Sequence, residues 1–154
     1  VKAKPLPRVV VLVGLPGSGK STWAARQRLP VLSSDAIRGL LADDETDQSI
    51  HPRVFSTIRY LLRHRVALGR PVTCVDATHL THWERRPYLK LKGCSVEAVF
   101  FDTPVELCKR RNRRRNRVVP VEAIDRMAGK LVPPEPAEGF VRVRVIAPKR
   151  RRKQ

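Results

Sequence analysis

The sequence predicts an α/β protein, a three-layer α/β/α sandwich around a mainly parallel five-stranded sheet. Three observations predict it. Short apolar runs rich in β-branched residues recur at Arg8–Val13, Val31–Ser33, Val72–Asp76, Val96–Phe101 and Phe140–Ile146. Stretches with helical spacing separate them, and strands that alternate with helices call for parallel pairing with crossover helices. The first run leads straight into Gly14-Leu15-Pro16-Gly17-Ser18-Gly19-Lys20-Ser21, after which Thr22 to Gln27 can continue as a helix. A strand, a glycine loop and a helix N-terminus in that order make a cradle for phosphate. With 154 residues and 42% hydrophobic content, one domain over 8–147 is expected, flanked by a loose leader, 1–7, and a disordered basic tail, 148–154.

Each element has its own punctuation. Pro30 closes the first helix, and Ser33-Ser34-Asp35 offers caps to a second helix carrying Ile37, Leu40 and Leu41. Asp43 to Asp47 forms an acidic loop. Pro52 suits a first helical position, with Val54, Phe55, Ile58, Leu61, Leu62 and Val66 at helical spacing behind it and Gly69 and Pro71 as the stop. Thr81-x-x-Glu84 resembles a capping box, although Pro87 predicts a late start or a kink. Thr103-Pro104-Val105-Glu106 reads as a second capping box. Pro120 opens a last helix with Val121, Ile124, Ala128 and Leu131 on one face. In the fifth strand Val141, Val143 and Val145 alternate with Arg142 and Arg144.

In open parallel sheets, ligands bind outside the carboxyl ends of the strands, so the residues after each strand carry the chemistry. After the first come Gly14, Pro16, Gly17, Ser18 and Gly19, whose backbone N–H groups approach an anion. Lys20 then reaches the β/γ-phosphates of a nucleoside triphosphate, and the Ser21 hydroxyl sits on Mg2+. After the second comes Asp35, placed to accept the proton of an attacking hydroxyl. Arg38 lies one turn later, placed to orient Asp35 or to grip a phosphate. Each also has a plain reading, Asp35 as a helix cap and Arg38 as a solvated side chain. After the third comes Asp76, a carboxylate positioned to hold Mg2+ through water, or to cap a turn, and then Thr78, a substrate contact or a loop buttress. After the fourth comes the arginine-rich stretch 109–117, where a cation on a mobile lid (about 105–120) can neutralise charge on a transferring phosphoryl group.

Together these segments resemble the polynucleotide 5′-kinase family of P-loop phosphotransferases, the kinase domain of phage and bacterial end-healing enzymes. The likeness spans about Val9 to Val145. Gly14 to Thr22 match the family's G-x-x-G-S-G-K-S-T loop, Ser33 to Arg38 its S-x-D-x-x-R-like element, and Asp76 to His79 its D-[AS]-T-N segment, with His79 replacing the asparagine. Arg111-Asn112-Arg113-Arg114-Arg115 matches its lid, in a register that a shift of one or two would satisfy equally. The resemblance implies a P-loop kinase-type fold, ATP or another NTP as donor with Thr22 among its ligands, and Mg2+. It further implies Asp35 as general base, Arg38 on the acceptor, Arg115 and then Arg111 on the donor phosphates, and a 5′-hydroxyl polynucleotide end as acceptor.

Net charge sharpens the expectation. The chain carries +18, and twelve of its cations fall in two short stretches, 109–117 and 149–153. Such concentration suits a polyanionic partner, commonly nucleic acid. The apolar runs are too short to span a bilayer, which argues against a membrane protein. No secretory leader is visible, and three widely spaced cysteines read as reduced buried thiols, so a cytoplasmic location is expected. His79-x-x-His82 lacks a third ligand nearby. Two rival readings are a P-loop kinase for a small metabolite, which leaves the charge unexplained, and a non-catalytic nucleotide-dependent nucleic-acid-binding module. Few aromatics, 5%, leave few platforms for base stacking.

Overall fold

A computed structural model describes residues 3–116 and 118–149. Of the basic tail expected at 148–154, residues 150–154 lie outside that range, as do Arg117 of the expected basic stretch and the first two residues of the leader. Five strands, β1 (Arg8–Val13), β2 (Val31–Ser33), β3 (Val72–Asp76), β4 (Ser95–Phe101) and β5 (Arg142–Ile146), pair in the order β2-β3-β1-β4-β5. Every pairing is parallel, so the sheet is wholly rather than mainly parallel. Among the described residues six α-helices accompany them: α1 (Lys20–Arg26), α2 (Ser34–Ala42), α3 (His51–Ala67), α4 (His82–Leu89), α5 (Val105–Asn112) and α6 (Val121–Lys130).

Alternation along β1 decides the layers. Val9, Val11 and Val13 face a core shared with Ile37 of α2, Val54, Ile58 and Leu62 of α3, and Tyr88 of α4. Val10 and Leu12 face a second core with Ala24 of α1, Cys74, Val99 and Phe101. All five β1 side chains from Val9 to Val13 are buried, each contributing roughly 1.5–3 kcal/mol relative to exposure. A third cluster, Leu15, Leu80 and Cys108 with Met127 and Leu131 packed against it, closes the carboxyl end of the sheet beneath the loops.

Local signals hold in most places. Ser33 Oγ accepts from Ala36 N and caps α2, so Asp35 lies one residue inside the helix instead of capping it. Thr81 caps α4 by accepting from Glu84 N, and the helix starts at once and runs through Pro87. Pro87 has no N–H to bond Trp83 O, so the helix passes it with one backbone bond fewer.

Three expectations need correction. The Thr103–Glu106 capping box does not form, because Thr103 Oγ1 donates to Ser18 O at 3.0 Å and α5 begins at Val105 behind an uncapped Pro104. Val121 is exposed, leaving Ile124 as the buried anchor of α6. Phe140 is buried ahead of β5, which starts only at Arg142. Cys74 and Cys108 are buried as expected, while Cys94 is half-buried. No helix among the described residues is long and apolar enough to cross a membrane.

Candidate functional site

The loop between β1 and α1 is shaped by its glycines. Gly17 (φ 80°) and Gly19 (φ 101°) take the left-handed conformation, which costs an L side chain about 1–2 kcal/mol. Gly17 is also packed: a Cβ there would stand 2.5 Å from Cys108 O of α5. Gly14 N donates to Thr78 O at 3.0 Å, which joins the loop to the segment after β3. Ser18 N turns back to Leu15 O, and buried Ser18 Oγ has no hydrogen-bond partner among the described residues.

Lys20 is nearly enclosed. Its Nζ donates to Gly14 O at 2.9 Å and Leu15 O at 2.8 Å. An ammonium has three N–H donors, so one is left to point at an anion. Burial lowers its pKa to about 8, with Arg115 pushing the same way and Asp76 and Asp35 opposing. A bound polyphosphate would reverse that penalty by supplying negative charge.

Two clefts meet at this lysine. The first, of about 520 Å3, lies over the loop and is lined by Gly17 to Trp23, Arg26, Arg111, Arg115 and the segment after β5. The second, of about 730 Å3, is lined by Asp35 and Arg38 from α2, Thr46, His51 from α3, Asp76, Thr78, Glu84 from α4, and Arg126 from α6. Lys20, Ser21 and Arg115 line both. Pro16 lines the second cleft and Gly14 neither, its Cα lying against Ser18 and Phe101.

In the second cleft, Arg38 is buried (4% exposed) and its Nη1 donates to Asp35 Oδ1 at 3.2 Å. The guanidinium fixes the carboxylate from below while Asp35 stays partly open to the cleft. His51 has its pKa lowered, mainly by burial and then by the Arg38 charge. At the junction of the clefts Ser21 Oγ donates to Asp76 Oδ2 at 2.6 Å. A hydroxyl and a carboxylate beside a phosphate cradle are the hard-oxygen donors that Mg2+ takes together with phosphates and water. No cluster of three or more His, Cys, Asp or Glu suited to a metal occurs among the described residues.

Behind the clefts, one buried side chain carried no recognisable signal in the sequence, and another, His79, carried one that did not reveal its role. Arg85 is fully buried, its Nε and Nη2 on the two carboxylate oxygens of Glu138 (3.0 and 3.1 Å) and its Nη1 on His79 O and Val132 O. It pins the chain after Thr78 to the segment before β5, and a partner 53 positions away leaves no local pattern. His79 takes a left-handed φ of 47° and is buried. Its Nδ1 donates to Leu12 O at 2.6 Å and its Nε2 accepts from Tyr88 OH at 3.0 Å. Burial holds its pKa down at about 4, so the ring is the neutral tautomer and is engaged on both nitrogens.

A family model described as an AAA domain matches residues 9–134. The chain belongs to that family. This AAA-domain protein shares its fold with a chain of the Pnkp1/Rnl/Hen1 RNA repair complex, with a TM-score of 0.70 at 19% identity, over 84% of this chain and 45% of that one. It shares it too with a sugar kinase from Janibacter sp. HTCC2649 (TM-score 0.65, 21% identity, 93% and 86% covered). The APS kinase CysC of Mycobacterium tuberculosis, solved with AMPPNP and APS, also matches (0.62, 21%, 96% and 91%). The chain spans less than half the length of the RNA-repair chain. At these identities the likeness establishes the fold, that of the P-loop kinases. The family resemblance and fold class expected from the motifs are therefore met, and small-molecule kinases share the same frame.

Proposed function

We propose that this protein is a polynucleotide 5′-hydroxyl kinase that moves the γ-phosphoryl of ATP, or another NTP, to the 5′-OH end of DNA or RNA. The observation that carries the reading is the meeting of the two clefts at Lys20, Ser21 and Arg115, with the Arg38-braced Asp35 in the second. The first cleft holds the donor, its phosphates on the loop N–H groups, Lys20 and Thr22. The second holds the acceptor, with Thr78 in its wall.

Asp35 accepts the proton of the acceptor hydroxyl as its oxygen bonds to the γ-phosphorus, and the bond from that phosphorus to the bridging oxygen breaks, releasing the nucleoside diphosphate. Arg38 orients Asp35. Arg115, and Arg111 from the donor side, place positive charge where it builds on the transferring group, as an arginine-rich lid does. Ser21, and Asp76 through water, would hold Mg2+, which neutralises phosphate charge when bound.

The +18 charge supports a polyanionic acceptor. A second reading has its own observation. The acidic loop 43–47 places Thr46 in the acceptor cleft wall, and local negative charge suits a compact neutral hydroxyl better than a phosphate chain. Labelled ATP, a 5′-hydroxyl oligonucleotide and a panel of sugars decide between them. Label on the oligonucleotide 5′ end is the expected result. Label on a small acceptor alone, or on nothing, overturns the polynucleotide reading.

A further inference from the structure

The wall of the second cleft divides by chemistry. Around Lys20, Asp35, Arg38, Asp76 and Arg115 it is charged, whereas the chain from the loop 43–47 into α3 adds Thr46, Gln48, His51 and Phe55. Nearby carboxylates are engaged through one oxygen each: Asp44 Oδ1 accepts from Thr46 N and Oγ1, Asp47 Oδ1 from Ser49 N and Oγ, and Glu84 Oε2 from Leu80 N. His51 and Phe55 lie one turn apart at the start of α3 and so share a side of it. Their rings pack together, with centroids 4.6 Å apart and planes tilted by 42°. Phe55 stands nearly perpendicular to buried His79 (6.4 Å, 78°), and His79 perpendicular to buried Tyr88 (5.1 Å, 90°), which also holds it by a hydrogen bond. Four rings thus run from the core to the cleft, the inner two buried, Phe55 half-buried and His51 exposed.

The outermost ring is therefore held from behind by packed neighbours and open on the side of the cleft it lines. Phe55 is the one ring packed on His51 among the described residues. Burial and the Arg38 charge lower the pKa of His51, so it stands neutral at pH 7. The same guanidinium braces Asp35, which puts the ring close to the carboxylate proposed to take the proton. A fixed flat ring beside an uncharged amide and hydroxyl matches a nucleobase, which is flat and carries hydrogen-bonding edges. Stacking of a base on an aromatic ring is worth about 1–3 kcal/mol and tolerates any base. We infer that the base of the acceptor's 5′-terminal nucleoside stacks on the His51 ring, backed by Phe55, His79 and Tyr88, while its 5′-hydroxyl lies at Asp35. The inference rests on the polynucleotide kinase reading and names the part of the acceptor that the cleft grips.

The test compares two eight-residue single strands with a free 5′-hydroxyl, one intact and one whose 5′-terminal sugar lacks its base, each in deoxyribo and ribo form. Wild type should favour the intact end about tenfold in kcat/KM. His51→Ala, at an exposed position that spares the core, should bring that ratio close to one, and His51→Phe should restore it. A preference in one sugar series alone assigns the acceptor to that nucleic acid and sustains the platform. No preference in wild type, a preference that survives His51→Ala, or one that His51→Phe loses equally, overturns it. Should the wild-type protein phosphorylate neither octamer, the kinase reading fails by itself. Calorimetric titration of the two octamers then decides the platform. An intact end bound about tenfold tighter by wild type, but not by His51→Ala, keeps it, and any other pattern removes it.

Discussion

The first cleft, proposed for the donor, takes its floor from consecutive residues, Gly17 to Trp23, whereas the second, proposed for the acceptor, collects Asp35, His51, Asp76, Glu84 and Arg126 from five separate segments. The first is made largely of backbone and works by the turns its glycines permit. The second is made of side chains brought together by the sheet order. A backbone site can serve any chain that folds the loop, which fits the range of kinases sharing this frame. A side-chain site is specific to the chain that assembles it. Donor chemistry and acceptor choice are therefore separable here, and three experiments bear on how separable.

The largest effect is expected at Asp35. Asp35→Ala should lower kcat by about 10²- to 10⁴-fold, the usual contribution of a positioned base, with the dissociation constant for ATP unchanged by calorimetry. Loss of ATP binding in this variant would show that the two clefts are one unit.

Next comes acid. Unfolded His79 takes up a proton below its ordinary value of 6.5, while the folded side chain stays neutral to about 4. The unfolded state then binds more protons across that interval, so stability falls as pH drops from 6.5 toward 4, by about 3 kcal/mol in all. Urea unfolding at pH 7, 5.5 and 4.5 reads it. His79→Asn keeps a residue tolerant of left-handed backbone and should remove most of this slope. An unchanged slope would place the titration elsewhere.

The smallest effect belongs to the donor loop. Gly17→Ala meets both a left-handed φ and the Cys108 carbonyl, and should cost about 2 kcal/mol. That is a fall of roughly 4–8 °C in Tm, partly recovered by ATP. A variant as stable as wild type would mean that α5 gives way freely.

The same contrast explains what could be read from residue order alone. The loop, the Ser33 and Thr81 caps, the strand spans and the clustering of Asp35, Asp76 and Thr78 at strand ends all follow from patterns a few residues long. The Thr103 box failed because the hydroxyl had a stronger claim on it, the Ser18 carbonyl across the fold. Arg85 was illegible because its meaning lies in Glu138 and two distant carbonyls, and in isolation it is one arginine among many.

The central place of β1 has a consequence of its own. Bonded on both sides and shut off from water at every residue from Val9 to Val13, it belongs to the part of the molecule that opens last. Asp35 follows β2, a three-residue strand at the sheet's margin. Partial opening of this protein therefore begins at the two margins, β2 beside Asp35 and β5, whose end borders the first cleft, while the loop stays anchored to the strand that opens last.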